Sequence, residues 1–122
     1  MKFVNLTPHE INFQSPTNIS DFRSFPASGQ VARVNEGTVA AEGVDGIPCQ
    51  TTVFLGFQDL PDPQEGTVFI VSRPVMDAWK HGAAGGAWAH RLDLIAPGTG
   101  PNDGAIRNDK GHITAVTRFN RM

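Results

Sequence analysis

Thr67-Val68-Phe69-Ile70-Val71 runs for five residues with no polar side chain after the first. Its β-branched and aromatic members favour extended backbone, and the lack of polar alternation is the mark of a strand buried on both faces. This segment is the expected core strand. It is entered through Gln58-Asp59-Leu60-Pro61-Asp62-Pro63-Gln64-Glu65-Gly66, a connection stiffened by two prolines. Beyond it Ser72 is a good helix cap and Pro74 sits near a first helical position, and Val75, Met76 and Trp79 share a helical face. The spacing predicts one short helix over about residues 73–81, stopped by Gly82.

Elsewhere the chain is punctuated too often for long helices, with 13 glycines and 9 prolines among 122 residues. Phe3 to Leu6 and Glu10 to Phe13 read as strand pieces around a corner at Thr7-Pro8-His9. Residues 14–29, rich in Ser, Asn, Asp and Pro, read as a loop closed by Pro26-Ala27-Ser28-Gly29. Gln30 to Asn35, Thr38 to Glu42 and Gly46 to Phe54 read as strands, the last two joined by a turn at Gly43-Val44-Asp45-Gly46. Gly82 to Ala87 has almost no side chain to pack and is expected to be a mobile loop. Ala105-Ile106-Arg107, a turn at Asn108 to Gly111, and His112 to Phe119 form an expected hairpin in which Gly111 takes the left-handed conformation. Together these predict a mainly β fold, a small β-barrel or sandwich-like sheet in a single domain over residues 1–122, with the one short helix.

Charge narrows the partners. The net charge of -2 lacks the basic excess of a general nucleic-acid binder. It is unevenly spread: residues 1–70 hold three basic and eight acidic side chains, residues 71–122 seven basic and four acidic. Such asymmetry suits an anionic ligand, or a dimer in which one half meets the other. The single cysteine, Cys49, forms no internal disulfide and reads as packing. With no apolar run long enough for a secretory signal or a membrane span, the expected location is the cytoplasm. The Asn-x-Ser/Thr matches at Asn5 and Asn18 are then coincidental. Neither the four histidines, His9, His81, His90 and His112, nor Cys49 have metal-ligand spacing, so no metal and no cofactor is expected.

The segment Arg91-Leu92-Asp93-Leu94-Ile95-Ala96-Pro97-Gly98-Thr99-Gly100-Pro101 holds the chemistry of most interest. A strand emptying into a glycine-rich loop often grips phosphate, yet no P-loop lysine follows. The dinucleotide pattern also fails, because Asp103 stands where its third glycine would fall. What remains is a loop of expected exposed donors at Gly98, Thr99 and Gly100, flanked by Arg91 and Arg107, with a plain surface turn as the competing reading. Trp79 and Trp88 bracket the glycine segment and could stack on a base or pack in the core. With no G-x-S-x-G elbow, no catalytic set is recognisable.

Asn5-Leu6-Thr7-Pro8-His9, Pro26 to Val34, Leu60-Pro61-Asp62-Pro63, Gly66 to Ser72, Arg91 to Pro101 and Gly111 to Phe119 together resemble a group of short, functionally uncharacterised proteins of bacteriophages, prophages and bacteria. The resemblance implies action inside an infected bacterial cell, against host defence or in particle assembly. By analogy of context and size, it brings to mind oligomeric sponges that sequester nucleotide immune signals. The expected function is thus non-catalytic binding of a small anionic, nucleotide-derived ligand by a homo-oligomer, with Arg73, Arg91, Arg107 and the Thr99 loop on phosphate and Trp79 or Trp88 on a base. The alternative is an assembly or protein-interaction module without a small-molecule ligand.

Overall fold

The computed structural model describes residues 1–80 and 91–122. Its centre is an open four-stranded sheet of β1 (Lys2–Asn5), β6 (Thr67–Ile70), β7 (Leu94–Pro97) and β10 (Phe119–Asn120), in that order. β1, β6 and β7 run parallel and β10 closes the row antiparallel to β7. The unalternating segment at Thr67 to Val71 lies where its composition demands, between two parallel neighbours, with Phe69, Ile70 and Val71 wholly buried. The sheet remains open, so among the described residues no barrel closes, and the fold is mainly β with sandwich-like layers.

One face of the sheet carries Val4, Phe69, Leu94 and Ala96, and the helix α1 (Arg73–Lys80) packs over it with Val75, Met76 and Trp79. The helix matches its prediction because Ser72 accepts the first helical bond from the Met76 amide at 3.1 Å and only one side is apolar. The other face carries Phe3, Ile95 and Phe119. It is covered by a hairpin of β2 (Ile11–Gln14) and β3 (Phe22–Phe25), whose Phe13 and Phe25 rings lie within 6.4 Å of Phe119. A second small hairpin, β8 (Ile106–Arg107) and β9 (Ile113–Ala115), is tied to β2 through Val116, whose amide donates to Asn12 O at 2.8 Å.

Several expectations are corrected. Residues 14–29 are not all loop, since Phe22 to Phe25 pair with β2; the polar residues around them conceal a strand of which Phe25 alone turns inward, against Phe3 and Phe119. The strand expected over Gln30 to Asn35 begins only at Arg33, because the Ala32 amide is drawn to Leu6 O at 3.0 Å. The extended run expected from His112 to Phe119 breaks after Ala115, and Phe119 crosses to pair with Pro97. The turn expected over residues 43–46 tightens to Asp45-Gly46, both at positive φ (50° and 76°), as a two-residue hairpin turn of the primed type requires. It joins β4 (Arg33–Val44) to β5 (Ile47–Gln58), each 12 residues long, making an arm whose base alone joins the core through Val34 and Phe57. The expected mobile loop at Gly82 to Ala87 lies outside the described residues.

Candidate functional site

Because β1, β6 and β7 are parallel, the segments that leave them emerge at one end of the sheet: Thr7-Pro8-His9 after β1, Ser72 and Arg73 after β6, Gly98 and Thr99 after β7. Carboxyl ends of parallel strands are where open sheets form ligand crevices. Here they frame two adjoining hollows of about 240 and 280 Å³ that share His9, Ile11, Pro97 and Thr99. Ser72, Arg73, Thr7 and Pro8 line the first; Glu10, Asn12 and the β9 segment from Ile113 to Val116 line the second. The two hollows adjoin as one groove along His9, Ile11, Pro97 and Thr99, with Arg73 lining one part and Glu10 the other.

Its walls are set by buried polar contacts. Asn5, 2% exposed, accepts from the Thr7 amide at 2.9 Å and donates to the carbonyls of His9 and Phe25 at 2.8 and 2.9 Å, fixing the corner that presents His9. The Thr7 hydroxyl lies 2.7 Å from Asn5 Oδ1, inside this network. Arg73 is largely exposed and faces Asp77 one turn along the helix at 3.5 Å, a pair too solvated to immobilise it.

The glycine loop is folded on itself. The Gly98 amide donates to Arg118 O at 3.0 Å and the Gly100 amide to Asp103 Oδ2 at 2.8 Å. Neither is therefore an exposed donor, and the Asp103 carboxylate occupies the place an anion would take beside Gly100. Gly98 is required sterically, since a Cβ there would stand 2.9 Å from the backbone oxygen of Arg118, whereas one on Gly100 would meet only the movable Asp103 carboxylate, at 2.9 Å. Of this loop, Thr99 is the residue that lines the groove.

The remaining expected contacts are dispersed. Arg91 is 3% exposed and commits its guanidinium to Asp93 (2.7 and 3.1 Å) and to Pro61 O (2.9 Å), with its charge 4.9 Å from the centre of the Trp79 ring. Trp79 is buried between this guanidinium and Phe57, whose centroid is 5.3 Å away, which leaves no open face for a base. Arg107 donates to Gly111 O at 2.9 Å across the β8–β9 turn and lines neither hollow. Trp88 lies outside the described residues. The structure thus brings Arg73 and Thr99 together and separates them from Arg91, Arg107 and Trp79. Sequence reasoning missed His9; its signal was the Thr-Pro corner following an apolar strand.

Among the described residues no three His, Cys, Asp or Glu side chains cluster as a metal site would require, and no helix is long and apolar enough to cross a membrane. Comparison with protein-family models, curated proteins and solved structures finds no match to this chain.

Proposed function

We propose that the protein binds a small anionic, nucleotide-derived ligand, without turning it over, in the groove at the carboxyl ends of β1, β6 and β7. The observation that carries this reading is the convergence of Arg73, His9 and Thr99, delivered by three different strands, on one concave surface. An arginine supplies charge-assisted donors to phosphate, while a threonine hydroxyl and the imidazole supply directional contacts. Together the hollows approach the size of a mononucleotide site. Binding rather than catalysis is favoured because, among the described residues, no hydroxyl or thiol is hydrogen-bonded to an imidazole as an activated nucleophile would be. The resemblance of its motifs to phage proteins supports reading this activity as one for the cytoplasm of an infected bacterium, where sequestering an immune nucleotide would need tight binding and no chemistry.

The test is thermal unfolding against a panel of linear and cyclic nucleotides and inorganic phosphate, with mass spectrometry of whatever heating releases. A ligand at about 100 times its Kd adds roughly 2.7 kcal/mol of stability. A raised Tm with intact release, clearly reduced in Arg73→Ala, is the expected outcome; altered product would make the protein an enzyme, and no response to any member would remove the groove as an anion site. A second reading, a protein-interaction module, is favoured by the exposed arm of β4 and β5.

A further inference from the structure

The β4–β5 arm has two unlike faces. Register pairs Val34 with Phe57, Glu36 with Phe54, Thr38 with Thr52 and Ala40 with Gln50 on one face, which docks at its base against the core and turns polar outward. The other face pairs Gly37 with Val53, Val39 with Thr51 and Ala41 with Cys49. Leu55, the extra residue of a bulge opposite Asn35 and Glu36, joins it: a Cβ built on Gly37 would meet Leu55 Cδ1 at 3.0 Å and Val53 Cγ2 at 3.7 Å. From Leu55 to Cys49 this second face is apolar apart from Thr51 and carries no charge, yet Leu55 is 66% and Val39 51% exposed.

A two-stranded ribbon is marginal in water unless something covers its apolar side. We propose that this face packs on the same face of a second copy, with the two arms antiparallel about a twofold axis. Self-pairing buries no charge, since the strip from Leu55 to Cys49 has none. The direction follows from the ends: Arg33 stands at the base of the strip, and Glu42 and Asp45 lie at the tip. Antiparallel arms bring each acidic tip over the partner's Arg33, whereas parallel arms would set acid against acid.

The paired faces alone fall short of a standard interface, and the arm tips must add to them. At about 3.3 Å per residue, 12 residues extend roughly 40 Å, and a ribbon about 10 Å wide then offers on the order of 400 Å² per copy. Face-to-face contact alone gives about 800 Å², below the roughly 1,200 Å² of a standard stable interface. The exposed Val44 and Ile47 at each tip, carried to the base of the partner's arm, supply further burial.

The experiment is molar mass by light scattering across a concentration series extending toward millimolar, for the native chain and four variants. The native protein is expected to be a dimer. Val39→Asp combined with Leu55→Asp should give a monomer with an unchanged circular dichroism spectrum, because both side chains lie outside the core cluster. Thr38→Asp, at the same height on the opposite face, should remain a dimer. Arg33→Glu should raise the dissociation constant about tenfold or more, and adding Asp45→Arg should restore it. A native chain that stays monomeric throughout overturns the proposal, as does a dimer that survives both aspartates. Either result is independent of whether the groove takes an anion.

Discussion

Asn5 donates its carboxamide nitrogen to the carbonyl of His9 at 2.8 Å, so a buried side chain at the end of β1 holds a residue that lines both hollows of the groove. The same nitrogen reaches Phe25 O, the oxygen takes the Thr7 amide, and the Asn5 carbonyl accepts from the Ser28 amide at 3.0 Å. One residue therefore joins the parallel sheet, the covering hairpin and the site.

Replacing it should be costly. Asn5→Ala leaves the Phe25 carbonyl and the Thr7 amide without their Asn5 partner and the His9 carbonyl with the Thr7 hydroxyl alone, and unmade buried hydrogen bonds put the loss at about 2–4 kcal/mol. Asn5→Asp should be no milder, because a carboxylate cannot donate to two carbonyls. Urea unfolding measures both; a midpoint for Asn5→Ala equal to that of the native chain would show that the corner holds itself.

Arg91 belongs to the fold rather than to ligand. Removing one partner of a buried, hydrogen-bonded ion pair costs about 3–5 kcal/mol, so Arg91→Ala should destabilise by that order, and Arg91→Lys should recover little because lysine has no planar fork for Asp93. Equilibrium unfolding of the two variants distinguishes this from a ligand-contact role, which would leave the stability of the free protein unchanged.

These residues show what was legible in the sequence. The core strand at Thr67 to Val71 and the helix at Arg73 to Lys80 were legible because periodicity and caps act locally. The closed state of the glycine loop is not legible, because the partners of its amides, Asp103 and Arg118, come from the loop's own fold and from the residue that leads into β10, neither of which spacing encodes. Arg91 stands beside the glycine loop in sequence like a free cation, but its burial depends on Trp79 and Pro61, 12 and 30 residues away. The groove was half legible: Thr99 and Arg73 stood out as residues, but their meeting with His9 follows from three strands being parallel.

The glycines separate by mechanism. Gly98→Ala should destabilise by about 1–3 kcal/mol through overpacking, because the new methyl meets backbone at Arg118 O. Gly111→Ala meets nothing within 4 Å, but its φ of 80° is disfavoured for an L-residue, so about 1–2 kcal/mol should be lost. A d-alanine introduced by chemical synthesis tells them apart: it should rescue position 111, where only the dihedral matters. Failure of that rescue would mean that the β8–β9 turn depends on more than its conformation.

Arg73 and Arg107 offer the sharpest contrast. Both are exposed arginines of the basic half, but only Arg73 lines the groove, and the solvated contact with Asp77 contributes no more than about 0.5 kcal/mol. Arg73→Ala should leave Tm nearly unchanged while weakening binding of a phosphate-bearing ligand by about 10- to 100-fold, the worth of a charge-assisted hydrogen bond. Arg107→Ala should leave affinity unaltered, since its guanidinium serves the Gly111 carbonyl. Isothermal titration of both variants with the nucleotide that most raises the native Tm decides it. Equal losses would indicate a diffuse field from the basic half, and a loss confined to Arg107→Ala would move the site from the sheet's carboxyl end to the β8–β9 hairpin.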